Sequence, residues 1–260
     1  MKRYYKIWLL LAANAIQTSL SSRFNAFILV FGKLLRFGLF FFFLTIIGSK
    51  TKLIAGYSLH QIIFFFLTYQ LIDTLPQMFL REVYKFRSYV VKGDFDYFLV
   101  KPFPPLFRAL FGGPDILDIP IAIISLIAIL WTAQQLGTLS FMHISLYILL
   151  LMNALLIAVA FHILVISMGV ITTEVDNAIM LYRDITQMGR IPVDVYQEPL
   201  RGLLTFVVPV GIMMTIPAKA MMGLLSPLLT IISFALAVIV FYLSIKIWQR
   251  AIREYSSASS

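Results

Sequence analysis

Lys33 and Arg36 stand three residues apart inside one long apolar run, and Asp73 stands inside the next, three residues before Pro76. Charged side chains in such surroundings are costly, so they face a polar interior, pair with one another, or reach for head groups. Only thirteen residues, 37–49, separate Arg36 from Lys50. As a helix these reach about 20 Å, short of a hydrocarbon core of roughly 30 Å. At least one of the two cations must therefore snorkel or face a polar cavity. Their spacing puts both on one helix face, which suits snorkelling to the inner head groups, the simpler reading, and equally suits lining a substrate path. Asp73 reads either as a protonated or hydrogen-bonded acid at a kink, or as a hinge or pathway residue. Pro76 permits the kink, because it frees the Ile72 carbonyl and bends the helix.

The remaining candidates for chemistry are weaker. Asp115 and Asp118 follow Pro114, a good first helical residue, and are expected in the first turn of a span, complementing its positive end. Asp94-Phe95-Asp96 is an acidic pair without the other ligands of a calcium loop, and an ordinary surface turn is expected there. His60, His143 and His162 are scattered, with no metal-ligand pair at helical spacing. Gly112-Gly113-Pro114 lacks the Lys and Ser or Thr of a phosphate-binding loop. The sequence thus predicts no catalytic residue, no metal site and no cofactor held by this chain.

The elements that carry these residues are set by composition. Of 260 residues 60% are hydrophobic and 13% charged, where soluble domains carry about 25% charged. The implied class is an all-α polytopic membrane protein. Six apolar runs approach the roughly 20 residues a crossing helix needs: about 24–47, 57–80, 114–133, 144–171, 202–217 and 225–247. The fifth is interrupted by Pro209 and Pro217, so a broken or re-entrant helix is an open alternative there. Residues 1–22, with Lys2, Arg3 and Lys6 before an apolar stretch, imitate a signal peptide. An amphipathic interfacial helix is the preferred reading. The domain reading is then 1–22 as that segment, 23–250 as one six-span domain and 251–260 as a tail. Residues 172–201 are expected to form a second cytoplasmic segment. Val175, Ile179, Tyr182 and Ile185 recur there at helical spacing, as in a helix lying on the membrane or against a partner.

Charge supplies the orientation. The net +9 resides at the ends of apolar blocks rather than on a soluble face, which argues against nucleic acid and for lipid head groups. With both termini inside, sixteen of the 21 Lys and Arg fall on the cytoplasmic side, as the positive-inside rule requires. Six of them lie in the island 81–108 between the second and third runs.

That island also carries a pattern. Gly93-Asp94-Phe95-Asp96-Tyr97-Phe98-Leu99-Val100-Lys101-Pro102 resembles the G-x-hydrophobic-D-x-x-L-x-[KR]-P stretch of permease subunits of type-2 ATP-binding-cassette (ABC) exporters, in particular a six-span bacterial group. Two further stretches resemble the same family: Arg190-Ile191-Pro192-Val193-Asp194-Val195-Tyr196, continuing through Arg201 and Pro209 to Ile216-Pro217-Ala218, and the carboxyl end, Trp248 with Arg253, Tyr255, Ser256, Ser257 and Ala258. The resemblance spans essentially the whole chain. It implies a membrane subunit forming half of a translocation pathway in a bacterial inner membrane. The implied partners are two copies of an ABC ATPase, which bind the ATP and Mg, together with a second permease, identical or paralogous, and membrane lipids. It assigns ATPase coupling to Gly93, Asp94, Phe95, Asp96, Tyr97, Phe98, Lys101 and Pro102, with Phe95, Tyr97 and Phe98 as apolar anchors. Lys33, Arg36, Asp73 and Pro76 remain the pathway or hinge candidates. The competing class, an ATP-independent secondary transporter or channel, would be expected to show more embedded acids and an internal repeat.

Overall fold

The computed structural model describes residues 2–51, 53, 55–172 and 175–255. Lys52, and Ser256, Ser257 and Ala258 of the carboxyl-terminal motif, lie outside the described residues, as does the second half of the expected 251–260 tail. Regular structure among the described residues is helical, as backbone in hydrocarbon must be when it can pair only within its own segment.

Helix α1 (Lys2–Ser21) ends at Ser22, and α2 (Arg23–Lys50) is the first apolar helix long enough to cross a membrane. Tyr4 of α1 packs on Phe103 and Phe107, which keeps α1 beside the charged island. α3 (Leu59–Phe79) opens with a capping box in which Ser58 and Gln61 satisfy each other's backbone donors. Pro76 lies inside its last turn. The island folds as a 3-10 turn (Arg81–Lys85) and three short helices, α4 (Phe86–Val91), α5 (Asp94–Val100) and α6 (Pro105–Phe111). Gly93 joins α4 to α5 at φ +76°, a left-handed conformation that glycine adopts without strain. α7 (Ile119–Gln135) and α8 (Phe141–Thr172) form an apolar hairpin. α12 (Pro227–Glu254) runs back along α8 to the island. The crossing helices lie within a few residues of the predicted runs, α12 excepted, which continues seven residues further to Glu254.

Residues 175–221 depart from the expectation. α9 (Val175–Gln187) is not a surface helix. It folds back along α8, with Tyr182 packed on Phe161 and His162. Val175 begins this return beside Phe86 at the island end, where Arg87 pairs with Asp176 at 3.2 Å. Asp194 ends it at the hydroxyl of Tyr57, at the opposite end of α3. Since α3 has 21 residues and is about 31 Å long, residues 175–194 traverse the bundle. The apolar positions at helical spacing are real. They face α8, while Arg183 on the flank of the same helix reaches a polar cavity and Asp176, Met180 and Asp184 stay exposed.

The fifth apolar run is bent instead of crossing. α10 (Leu200–Val207) and α11 (Gly211–Met221) meet at 79° around Pro209. Arg201 at the start of the first limb and Lys219 near the end of the second reach the same Asp194 carboxylate. Both ends of the pair therefore sit at the Tyr57 end, and the pair dips inward and returns. Thr138, in the α7–α8 turn at that same end, bonds the Met221 carbonyl at 2.9 Å.

Candidate functional site

Besides the Asp194 cluster, polar side chains gather in a cavity that runs from the middle of α3 to its island end, and on a platform at the island. The cavity, of about 440 Å³, lies between α2, α3, α9 and the start of α7. α2 leans on α3 through Phe37 and Phe40 against Phe66 and leaves the space beneath them open. Lys33, Arg36 and Asp73 all line it, as do Arg81, Arg183 and Arg190. Pro76 does not. It is buried in the last turn of α3.

Lys33 is paired within the protein. Its ammonium lies 2.6 Å from Asp118 and 3.6 Å from Asp115, and Arg81 lies 3.6 Å from Asp115. The two acids stand at the start of the third span, as expected, and in addition meet counter-ions there. α7 begins at Ile119, and a 3-10 turn (Ile116–Asp118) precedes it. Asp115 caps that turn by accepting from the Leu117 N–H, while Asp118 turns inward and is neutralised by a cation from α2. The carboxylates that looked like helix-end residues are the counter-ions of the first predicted cation.

Arg36 occupies the middle of α2, thirteen residues from Arg23 and fourteen from Lys50. Arg190 sits over the rings of Phe40 and Tyr69, 5.7 and 5.9 Å from their centroids, and Tyr69 is the central residue of α3. Among the described residues no carboxylate comes within ion-pair distance of Arg36, Arg183 or Arg190. Arg183 and Arg190 were read in the sequence as loop charges. Arg183 lies in α9 and Arg190 in the 3-10 turn Met188–Arg190 that follows it, so no single helical spacing announced the pair.

The platform is built on two anchors. Glu82, only 3% exposed, accepts from Arg108 at 2.8 Å and from the Tyr89 hydroxyl at 2.6 Å. Burial, followed by the Glu82 carboxylate, pushes the Tyr89 phenol up to about 12. A side chain on Gly112 would overlap Glu82 and Arg108, and one on Gly113 would press on Ala15. The double glycine is thus a close-packing device. The second anchor is Phe95, fully buried, with ring neighbours Phe86, Phe98, Trp248 and Tyr255 at 5.2, 5.9, 6.2 and 5.1 Å. The island motif and the carboxyl-terminal motif meet at this ring.

That arrangement corrects the expected anchors. Phe95 and Phe98 face inward and cannot touch a partner, because α5 must bury one stripe to stay on the bundle. Tyr97 and Val100 are 63% and 78% exposed, and Lys101 and Pro102 are exposed beside them. Asp94 and Asp96 stand in the first turn of α5, half-buried.

A family model described as ABC-2 family transporter protein matches residues 34–259. The chain therefore belongs to the ABC-2 transporter family, as an all-α membrane protein with five to six membrane-crossing elements by length and composition. No curated protein and no solved structure matches it.

Proposed function

We propose that this chain is the permease subunit of an ATP-driven exporter, with both termini and the 81–108 platform on the cytoplasmic face of a bacterial inner membrane. A separate ATPase, in two copies, docks on the exposed face of α5 and supplies ATP and Mg chemistry. A second permease, identical or paralogous, completes the pathway along the open face of α2. The observation that carries this reading is the construction of the platform. An exposed Tyr97–Val100–Lys101 face is mounted on a buried Phe95, which is wedged against the end of α12 through Trp248. Force on α5 is thereby delivered to the crossing helices, and the Arg87–Asp176 pair links the same platform to α9 and its cavity arginines. ATP-driven closure of the ATPase pair acts by favouring one arrangement of these helices over another.

The test is reconstitution of the chain with its ATPase in proteoliposomes. ATP-dependent movement of a substrate, lost when the ATPase is left out, supports the reading. Asp73 in the cavity gives the competing class its one foothold. Movement driven by a proton gradient with no ATPase present would replace the first reading with that one.

A further inference from the structure

Among the described residues, the cavity holds more positive charge than is neutralised. Lys33 and Arg81 are committed to Asp118 and Asp115. With Asp118 taken by Lys33, the described residues leave Arg36, Arg183 and Arg190 the Asp73 carboxylate across the cavity, beyond ion-pair distance, and Arg190 also donates to the Tyr69 hydroxyl at 3.5 Å. Arginines at mid-span persist where they bind an anion or line a polar space, and the planar guanidinium fork suits carboxylate and phosphate oxygens.

The cavity is not closed on its α2 side. Through Gly32, Arg36, Phe40 and Arg190 it continues into a shallow groove of about 380 Å³, whose other walls are Leu35, Leu39 and Phe43. Those positions recur at three- and four-residue intervals, so they form one stripe of α2. From Gly32 to Phe43 the stripe is about 16 Å long. No atom lies within 4 Å of where a side chain on Gly32 would begin, so the junction between the polar cavity and the apolar groove is open. A cationic pocket that runs into an apolar strip is complementary to a molecule with one charged end and one hydrocarbon end.

We propose that cavity and groove together bind an anionic amphiphile. Its phosphate or carboxylate head is held by Arg36, Arg183 and Arg190, and its chain lies along Leu35, Leu39 and Phe43. This rests on the permease reading and gives that permease a class of substrate.

The experiment uses the full chain in phosphatidylcholine nanodiscs without an ATPase, so failure here leaves ATPase coupling untouched. Radiolabelled dodecyl phosphate is the probe, read by scintillation proximity and corrected with empty discs. Saturable binding is expected. Dodecanol, which lacks the charge, and inorganic phosphate, which lacks the chain, should each displace it at least tenfold more weakly than unlabelled dodecyl phosphate. Arg36→Gln with Arg190→Gln should weaken binding tenfold or more. Arg36→Lys with Arg190→Lys should stay within about threefold of wild type, and Arg250→Gln, on the exposed last turn of α12, should change nothing. Equal displacement by inorganic phosphate would reduce the site to a free-anion site and overturn the proposal. Equal displacement by dodecanol, or undiminished binding by the double Gln variant, would overturn it as well. The displacement arms use wild-type protein alone, so they decide the matter even if a variant fails to fold.

Discussion

The Lys219 ammonium lies 2.7 Å from the Asp194 carboxylate and ties the returning limb of the bent pair to the loop that leads into it. Arg201, 3.2 Å away, ties the descending limb to the same group, and Tyr57 brings in the start of α3 through a 2.9 Å hydrogen bond. One carboxylate thus closes the far end of the bundle. Burial alone would raise the Asp194 carboxyl, but the Lys219 hydrogen bond and charge, with Tyr57 and Arg201, outweigh it and hold the group below its ordinary range. A depressed folded-state value contributes stability that is present above the unfolded value, near 4, and is lost as pH falls through the folded one. Asp194→Asn should lower stability by about 2 kcal/mol at pH 7 and flatten its decline in acid. Thermal unfolding in detergent from pH 7 to pH 3 reads both, and an unchanged acid profile in the variant would remove Asp194 as the latch.

The path of residues 175–194 makes a topological prediction. In this cysteine-free chain, Gln197→Cys should react with an impermeant thiol reagent added outside intact cells, together with Ser49→Cys. Ser88→Cys should react only after permeabilisation. Labelling of Gln197→Cys only from the inside would restore a cytoplasmic 172–201 segment and refute the traverse.

Side chains of the coupling stretch should separate into two classes. Phe98→Ala empties a buried site beneath Arg108 and should cost about 3–5 kcal/mol of stability. Gly93→Val places a β-branched residue at φ +76°, which should cost about 1–3 kcal/mol. Tyr97→Ala should leave unfolding unchanged and weaken ATPase co-purification. Loss of co-purification in Phe98→Ala alone, with Tyr97→Ala fully bound, would mean that this face is not the docking surface.

The two cations of α2 should also part company. Lys33→Gln strands the buried Asp118 and should cost on the order of 2 kcal/mol, most of it recovered by adding Asp118→Asn. Arg36→Gln, which breaks no ion pair within 4 Å among the described residues, should keep stability and reduce transport. A destabilised Arg36→Gln with normal transport would assign Arg36 to structure instead of pathway.

The long apolar helices were legible in the sequence because length and apolarity suffice to define them, and the break near Pro209 was visible as proline in an apolar run. The crossing by α9 was hidden for a physical reason. α9 carries exposed Asp176 and Asp184 beside the cavity-lining Arg183, and so resembles a surface helix by hydropathy. Gly93 as a turn was readable from residue type alone, whereas the inward direction of Phe95 and Phe98 depends on Trp248, about 150 residues away. The partnership of Lys33 with Asp118 is likewise long-range, and no local spacing announces it.

Docking of an ATPase on the exposed face of α5 is the central element of the proposed function. A photo-crosslinking residue installed at Tyr97, with Gln197 as the comparison, tests this in living cells. The account predicts a single adduct between Tyr97 and an ABC ATPase subunit, and none from Gln197. Absence of an ATPase adduct at Tyr97, or the same adduct at Gln197, would contradict it.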